Sequence, residues 1–283
     1  MHYLISDTTS YALTVLQSKT DGIVHSVYRK TINLLFGGQL LALQSSGSPL
    51  SPLSLIASQT DIPMVSAGQK VTLDGPACDI TVHTPAAPVV FSYREAKQHD
   101  LFLYRALTPH QQTALRQTIR AVLSQSDRSG FSLLVQNDPS VDDSLILSAA
   151  KRQIQQAQQE FFAGRYDNAS AALCQLIGLG IGLTPSGDDF LCGVLAGLRL
   201  LGRDSESFGQ SLRLQASRHL ARTNEISAAF LRCALSGQFS RAVCSLSDLP
   251  SLSDVAHSFA AIGHSSGMDT LCGIDFVFQL YPI

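Results

Sequence analysis

The sequence predicts an α+β fold: a β-rich domain over residues 1–105, followed by an all-α helical domain over residues 106–283. Three observations carry this. Short β-branched or aromatic runs alternate with Gly, Pro and Ser breaks through the first hundred residues. From about Pro109 the apolar residues recur at helical spacing instead. The helical part also contains two similar loops, each small, polar and Gly-containing, and each running into an apolar helix.

In the first part, the segments Gly22–Tyr28, Thr31–Phe36, Gln39–Leu43, Lys70–Leu73 and Asp79–His83 read as strands, and Ser45–Pro52 as a Ser/Gly/Pro-rich loop. The change of domain falls between about 100 and 110. Thr108 and Pro109 then open a helix with Leu115, Ile119, Val122 and Leu123 on one face. Amphipathic helices are expected over Asp142–Phe162 and over Asp167–Leu176, the latter ending at Gly178. Further helices start near Ser186, Ser205, Asn224, Ser240 and Ser253, and a final one covers Ser266–Leu280.

Composition narrows the function. An apolar fraction of 45 % with 15 % charged residues is that of a packed globular chain. A net charge of −2 without a basic block argues against a nucleic-acid partner. Six dispersed cysteines with no CxxC pair read as buried thiols in a reducing compartment. No secretory signal and no apolar run of about 18 residues is visible, so a cytoplasmic, non-membrane protein is expected.

The loops are Gly178–Gly193 (GLGIGLTPSGDDFLCG) and Gly263–Gly273 (GHSSGMDTLCG). At an offset of eighty, Ser186, Gly187 and Asp189 meet Ser266, Gly267 and Asp269, and Leu191, Cys192 and Gly193 meet Leu271, Cys272 and Gly273. A helix N-terminus after such a loop presents free N–H groups to an anion. Gly180 and Gly182 permit the close backbone approach this needs. The plainer reading is that Gly178 is a C-cap and that Asp188 and Asp189 only complement the helix dipole. Gly193 and Gly197 form a small-residue face, and the recurrence of Gly193 as Gly273 predicts that the two helices pack tightly and bring both loops together. His264 can neutralise an anion or carry a proton. Arg222, just before a cap at Thr223 or Asn224, can hold a carboxylate or phosphate bidentately, or can be a solvated cation. Asp188, Asp189 and Asp269 can bind Mg²⁺ with a substrate phosphate. The strand Arg29–Leu34, with Asn33, carries adjacent cations that on physical grounds are only solubilising.

Gly-x-Gly-Leu-Thr-Pro-Ser-x-Asp-Asp with Leu-x-Gly, and Gly-His-Ser-Ser-Gly-x-Asp-x-Leu-x-Gly, resemble the bacterial family that includes the AllH subunit of oxamate carbamoyltransferase in anaerobic allantoin use. A fainter match runs through Tyr28, Arg29, Ile32, Asn33 and Leu34. Two differences stand out: Gly187 occupies a position where that subunit carries His, and Ser48–Pro52 replaces a glycine-richer loop. The resemblance implies a multi-subunit enzyme converting oxalurate and phosphate into oxamate and carbamoyl phosphate, hence a small anionic substrate and protein partners. Such a transfer needs a site for phosphate and one for a carboxylate, and the chemistry of the two loops suits both, which gives their residues expected roles. Thr184, Ser186 and the amides after Gly182, Gly187 included, would hold one anion. His264, Ser265, Ser266 and the amides around Gly267 would hold the other, with Asp188, Asp189 and Asp269 binding Mg²⁺ or orienting the loops. Arg222, Asn224 and Asn33 join as substrate contacts. Two other functions stay open: a non-catalytic scaffold or ligand-sensing subunit, and a stand-alone phosphate-handling enzyme.

Overall fold

The computed structural model describes residues 1–126, 129–136, 138, 141 and 144–282. The chain divides into two compact units, Met1–Leu101 and Phe102–Ile283.

The first unit holds β1 (His2–Thr9), α1 (Ser10–Ser18), β2 (Asp21–Tyr28), β3 (Thr31–Phe36), β4 (Gln39–Gln44), β5 (Ser54–Ala57), β6 (Lys70–Asp74), β7 (Asp79–Val82), β8 (Val89–Ser92) and β9 (Lys97–His99). The strands run β5-β4-β3-β2-β6-β7-β8-β1-β9, and β5 also pairs antiparallel with β1 through Ile5↔Ala57 and Thr8↔Leu55. That extra pairing closes the sheet into a barrel, which leaves few free edges. Alternate residues such as Ile32, Leu34, Leu41, Leu43, Ile80 and Phe91 fill its interior. Helix α1 was not foreseen; Tyr11, Thr14 and Val15 carry β rather than helix propensity. Its start is decided by Thr9, whose hydroxyl accepts the Ala12 amide at 3.0 Å. Strands β1, β5, β8 and β9 were also missed; in β5 all four residues are buried, so it shows no alternation.

The second unit contains α2 (Pro109–Gln125), α3 (Ser132–Val135), α4 (Leu145–Phe162), α5 (Tyr166–Cys174), α6 (Ser186–Leu200), α7 (Ser207–Arg218), α8 (Glu225–Leu235), α9 (Arg241–Ser245), α10 (Leu252–Ala260) and α11 (Ser266–Leu280). The cap signals locate most starts. Thr108 closes a full capping box with Gln111, and Ser144, Asn224, Ser240 and Ser251 each accept a first-turn amide. The Asp142 start expected for α4 lies outside the described residues, and the helix is capped by Ser144 instead. Helix α5 stops at Cys174 and continues as turns toward Gly178. Among the described residues no helix is long and apolar enough to cross a membrane.

Helix α11 is the axis of this unit, with every residue from Gly267 to Phe278 buried. A helix enclosed on all sides is apolar all round, as its sequence is, apart from Asp269, Thr270 and Asp275. Its chief neighbour is α6. Gly193 lies against Thr270 and Gly273, and Gly197 against Val277 and Ile274. Residues eighty apart therefore meet in register, and the two helices run side by side in the same direction. A methyl group on Gly193 would sit 2.0 Å from the Thr270 carbonyl oxygen, and one on Gly273 2.0 Å from that of Phe190. These two clashes are themselves eighty-residue equivalents, so the helix pair has an approximate two-fold relation. The glycine seam anticipated from the sequence is the contact that brings both helix starts together.

Candidate functional site

The site is built at the two adjacent helix starts. The chain before α6 turns through Gly180 (φ 140°) and Gly182 (φ 100°). A side chain on Gly180 would strike the Ser186 amide at 2.5 Å, so close backbone approach demands glycine there. Gly182 faces open space and is glycine for its conformation alone. Neither Pro185 before α6 nor Ser265 before α11 gives a side-chain cap. The loops touch directly, the Thr184 and Ser266 hydroxyls lying 2.8 Å apart.

Asp188 faces away from this junction. One oxygen accepts the Gly178 amide at 2.9 Å, and the other accepts the hydroxyls of Thr223 and of Ser227, the latter at 2.7 Å. It clamps the first loop to the start of α8. Asn224 does related work: it caps α8 through Ser227 and donates its amide to the Leu183 carbonyl at 3.0 Å.

Asp189 and Asp269 behave differently. The Oδ1 of Asp269 accepts the Phe131 amide at 2.6 Å, while its Oδ2 is buried without a hydrogen-bond partner. The Oδ2 of Asp189 is likewise buried and unpartnered, although the residue as a whole is only half-buried. The neighbouring hydroxyls are partly crossed: Ser266 of the second loop bonds the Asp189 carboxyl and Ser186 of the first bonds that of Asp269, while Thr184 and Ser265 serve the carboxyl of their own loop. Burial pushes the Asp269 carboxyl up to about 6, against the favourable pull of Phe131 and the two serines. Burial also holds Asp189 well above the usual carboxylate range, with the negative charges of Asp269 and Asp188 adding to the shift. The Cys192 and Cys272 thiols, one turn further along, are pushed well up by burial.

The structure thus gathers Thr184, Ser186, Asp189, Ser265, Ser266 and Asp269 at one junction. Gly187 and Gly267 sit there too, but as packing points, where a methyl group would lie 2.0 Å from the Leu176 and Phe259 carbonyl oxygens respectively. The amide of Gly187 donates to Leu179 at 2.9 Å and is not open to an anion, which corrects that expectation. A three-aspartate metal site is corrected as well: Asp188 is consumed by its clamp, and among the described residues no group of three His, Cys, Asp or Glu side chains could hold a metal ion. His264 is exposed and lines a cleft of about 480 Å³ with Gln125, Ser126, Ala256 and Met268. Arg222 is exposed, and its backbone carbonyl packs on Gly178. Asn33 belongs to the other unit, where it is buried and donates to the Ser26 hydroxyl at 3.0 Å.

Sequence reasoning missed three partners. Thr223 and Ser227 stand in a segment read only as a cap, and their link to Asp188 has no local signature. Phe131 contributes a main-chain amide 138 residues from Asp269, which no side-chain pattern could announce.

Two family models match the chain. One, described as oxamate carbamoyltransferase subunit AllH, matches residues 176–278, which include both loops. The other, described as the AllH family N-terminal domain, matches residues 5–98, the barrel. No solved structure matches. Barrel and paired loops thus fall within the same family, and the chain belongs to the AllH family of oxamate carbamoyltransferase subunits.

Proposed function

We propose that this chain is the subunit that holds the anions in a carbamoyl transfer between a ureide such as oxalurate and phosphate, giving oxamate and carbamoyl phosphate. In that reaction the bond between the carbamoyl carbon and the amide nitrogen breaks and a carbon–oxygen bond to phosphate forms. The proton leaving phosphate is taken up by the departing nitrogen. Both reactants are anions, so positioning them side by side against their mutual repulsion is the main demand on the protein.

The observation that carries the reading is the parallel pairing of two helix N-termini that lack side-chain caps. Their dipoles add rather than cancel at one spot, and the loops offer hydroxyls and amides there. Thr184, Ser186 and the amides of Gly180 and Gly182 line one side; Ser265, Ser266, Gly267 and the exposed His264 line the other. Calorimetric titration with phosphate, carbamoyl phosphate, oxalurate and oxamate tests this, on the chain alone and with its partner subunits. Saturable binding that weakens about tenfold or more in Ser266→Ala is expected, since a charge-assisted hydrogen bond is worth roughly 1.5–3 kcal/mol. Absence of binding in both preparations, or binding indifferent to Ser266→Ala and Thr184→Val, would sink the reading.

A second reading, a non-catalytic ligand-binding or scaffold subunit, is favoured by one observation. The Gly187 amide in the first turn of α6 is tied back to the Leu179 carbonyl of the preceding loop, and Asp188 is wholly spent on loop structure. The two part on Asp189→Asn. Loss of activity of an intact complex supports the first; unchanged activity supports the second.

A further inference from the structure

We infer that the cavity lined by α2, α3, α4 and α11 is a second ligand site, which takes a small organic carboxylate with a flat, apolar body on the guanidinium of Arg120. The inference is independent of the anion-holding reading of the two loops.

The cavity lies within the second unit and measures about 500 Å³, a size usual for small-molecule sites. Among the described residues that line it, Arg120 and Asp275 carry the charge. Asp275 is 1 % exposed on the enclosed helix α11. Its Oδ1 accepts the Nε of Arg120 at 3.1 Å, and its Oδ2 accepts the Gln279 carboxamide at 2.7 Å. Both oxygens are thus committed to side chains of the cavity wall. Burying a carboxylate is costly, and an ion pair seldom offsets that desolvation in stability. Packing does not ask for the acid either: eighty residues earlier, the equivalent place on α6 holds Leu195, buried and apolar. What Asp275 does achieve is to fix the position of Arg120 at the cavity.

The side chain of Arg120 is half-exposed, and Asp275 is its one hydrogen-bond partner among the described residues. The two terminal nitrogens therefore stay open, and their fork matches a carboxylate bidentately. Local charge favours an anion as well. Helix α2 has no acidic residue, and Arg116, one turn before Arg120 on the same side, has a buried Nε without a hydrogen-bond partner. The wall specifies the rest of the ligand. Phe131, Phe190 and Phe276 line the cavity in succession, with neighbouring ring centroids 5.6 Å apart, and suit a flat apolar body. Gln158 of α4, half-buried in the lining and without a hydrogen bond among the described residues, can meet a polar substituent. Phe131 also gives its amide to Asp269, so the site abuts the loop junction.

The probes are para-fluorobenzoate and its neutral counterpart para-fluorobenzamide, each titrated with the full-length chain and followed by the fluorine magnetic resonance of the ligand. Saturable binding of the acid, one per chain, is expected with a dissociation constant of about 1 mM or lower, and the amide should bind at least about tenfold more weakly. Arg120→Lys keeps a cation beside Asp275 but lacks the fork, and should weaken the acid about tenfold while leaving the amide unchanged. The double variant Arg120→Leu/Asp275→Leu removes the ion pair together and leaves no buried charge unpaired, so it should fold. It should bind the acid no better than the amide. Circular dichroism checks folding, and if Arg120→Lys does not fold the double variant decides alone. No binding of the acid by the folded native chain up to about 10 mM, equal binding of acid and amide, or acid binding unchanged in a folded variant overturns the inference.

Discussion

The two loops share a sequence skeleton but carry different loads, and the difference lies in which residues are duplicated. Ser186/Ser266, Asp189/Asp269 and Gly193/Gly273 recur, and all of them meet at the junction of α6 and α11. Asp188 does not recur: its counterpart is Met268. Correspondingly, Asp188 turns back to hold Gly178, Thr223 and Ser227 within the first loop's own neighbourhood. The second loop is shorter, has no such clamp, and instead receives the Phe131 amide from the segment before α3. In this approximately symmetric pair, the repeated Ser, Asp and seam Gly build the shared junction, joined there by the unrepeated Thr184 and Ser265, while the unrepeated Asp188 serves local structure.

That distinction can be broken most forcefully at the seam. Gly273→Ala and Gly193→Ala each drive a methyl group into a carbonyl oxygen. Each should destabilise by about 3 kcal/mol or more, the top of the overpacking range, despite the ~1 kcal/mol that alanine gains in a helix. Gly182→Ala, which meets no atom and suffers only its positive φ, should cost markedly less. Denaturant titration of the three variants ranks them, and equal costs would mean that the seam is not tightly closed.

The paired carboxyls give the next largest effect. Asp269 titrates near 6 in the fold against 3.8 as its ordinary value. Its contribution is therefore fully present below about pH 4 and is lost as pH rises through 6, because ionisation is easier in the unfolded chain. The gap is worth roughly 3 kcal/mol at about 1.4 kcal/mol per pH unit. In chelator-treated buffer, unfolding free energy should fall between pH 4 and 7, and Asp269→Asn should flatten the slope. Asp7 works in the opposite sense: its bond with His99 lowers the carboxyl, so that contribution is lost on acidification. A native chain whose stability rises from pH 4 to 7 as steeply as that of Asp269→Asn would contradict the burial of an ionisable pair.

The smallest effect is the direct link between the loops. A double-mutant cycle on Thr184→Val and Ser266→Ala should give a coupling of about 1 kcal/mol, the usual worth of a neutral hydrogen bond. Coupling near zero would mean that the loops approach through the helices alone.

Much of this architecture was legible because its causes are local. Caps at Thr108, Asn224 and Ser240 are read within four residues, and the loop duplication shows as plain text. The barrel was legible as strands but not as a barrel, since closure depends on Ile5 and Ala57 finding each other across 52 residues. At the site, the meeting of the loops followed from Gly193 and Gly273. The fate of each aspartate did not, because the orientation of Asp188 is set by Thr223 and Ser227, and one oxygen of Asp269 by a main-chain amide. The lack of an equivalent for Asp188 was the one signal in the sequence that could have separated it from the other two.

The glycine seam also constrains how the chain reaches its fold. Helix α6 is shaped to lie against a helix that emerges from the ribosome eighty residues later, roughly 4–16 s at ordinary elongation rates. Through that interval its seam and much of its apolar surface have no permanent cover, while the barrel, complete in sequence by residue 99, is free to fold. The helical unit is thus the late and vulnerable half of biosynthesis. A chain released before α11 would keep a finished barrel beside a helix with nowhere to settle.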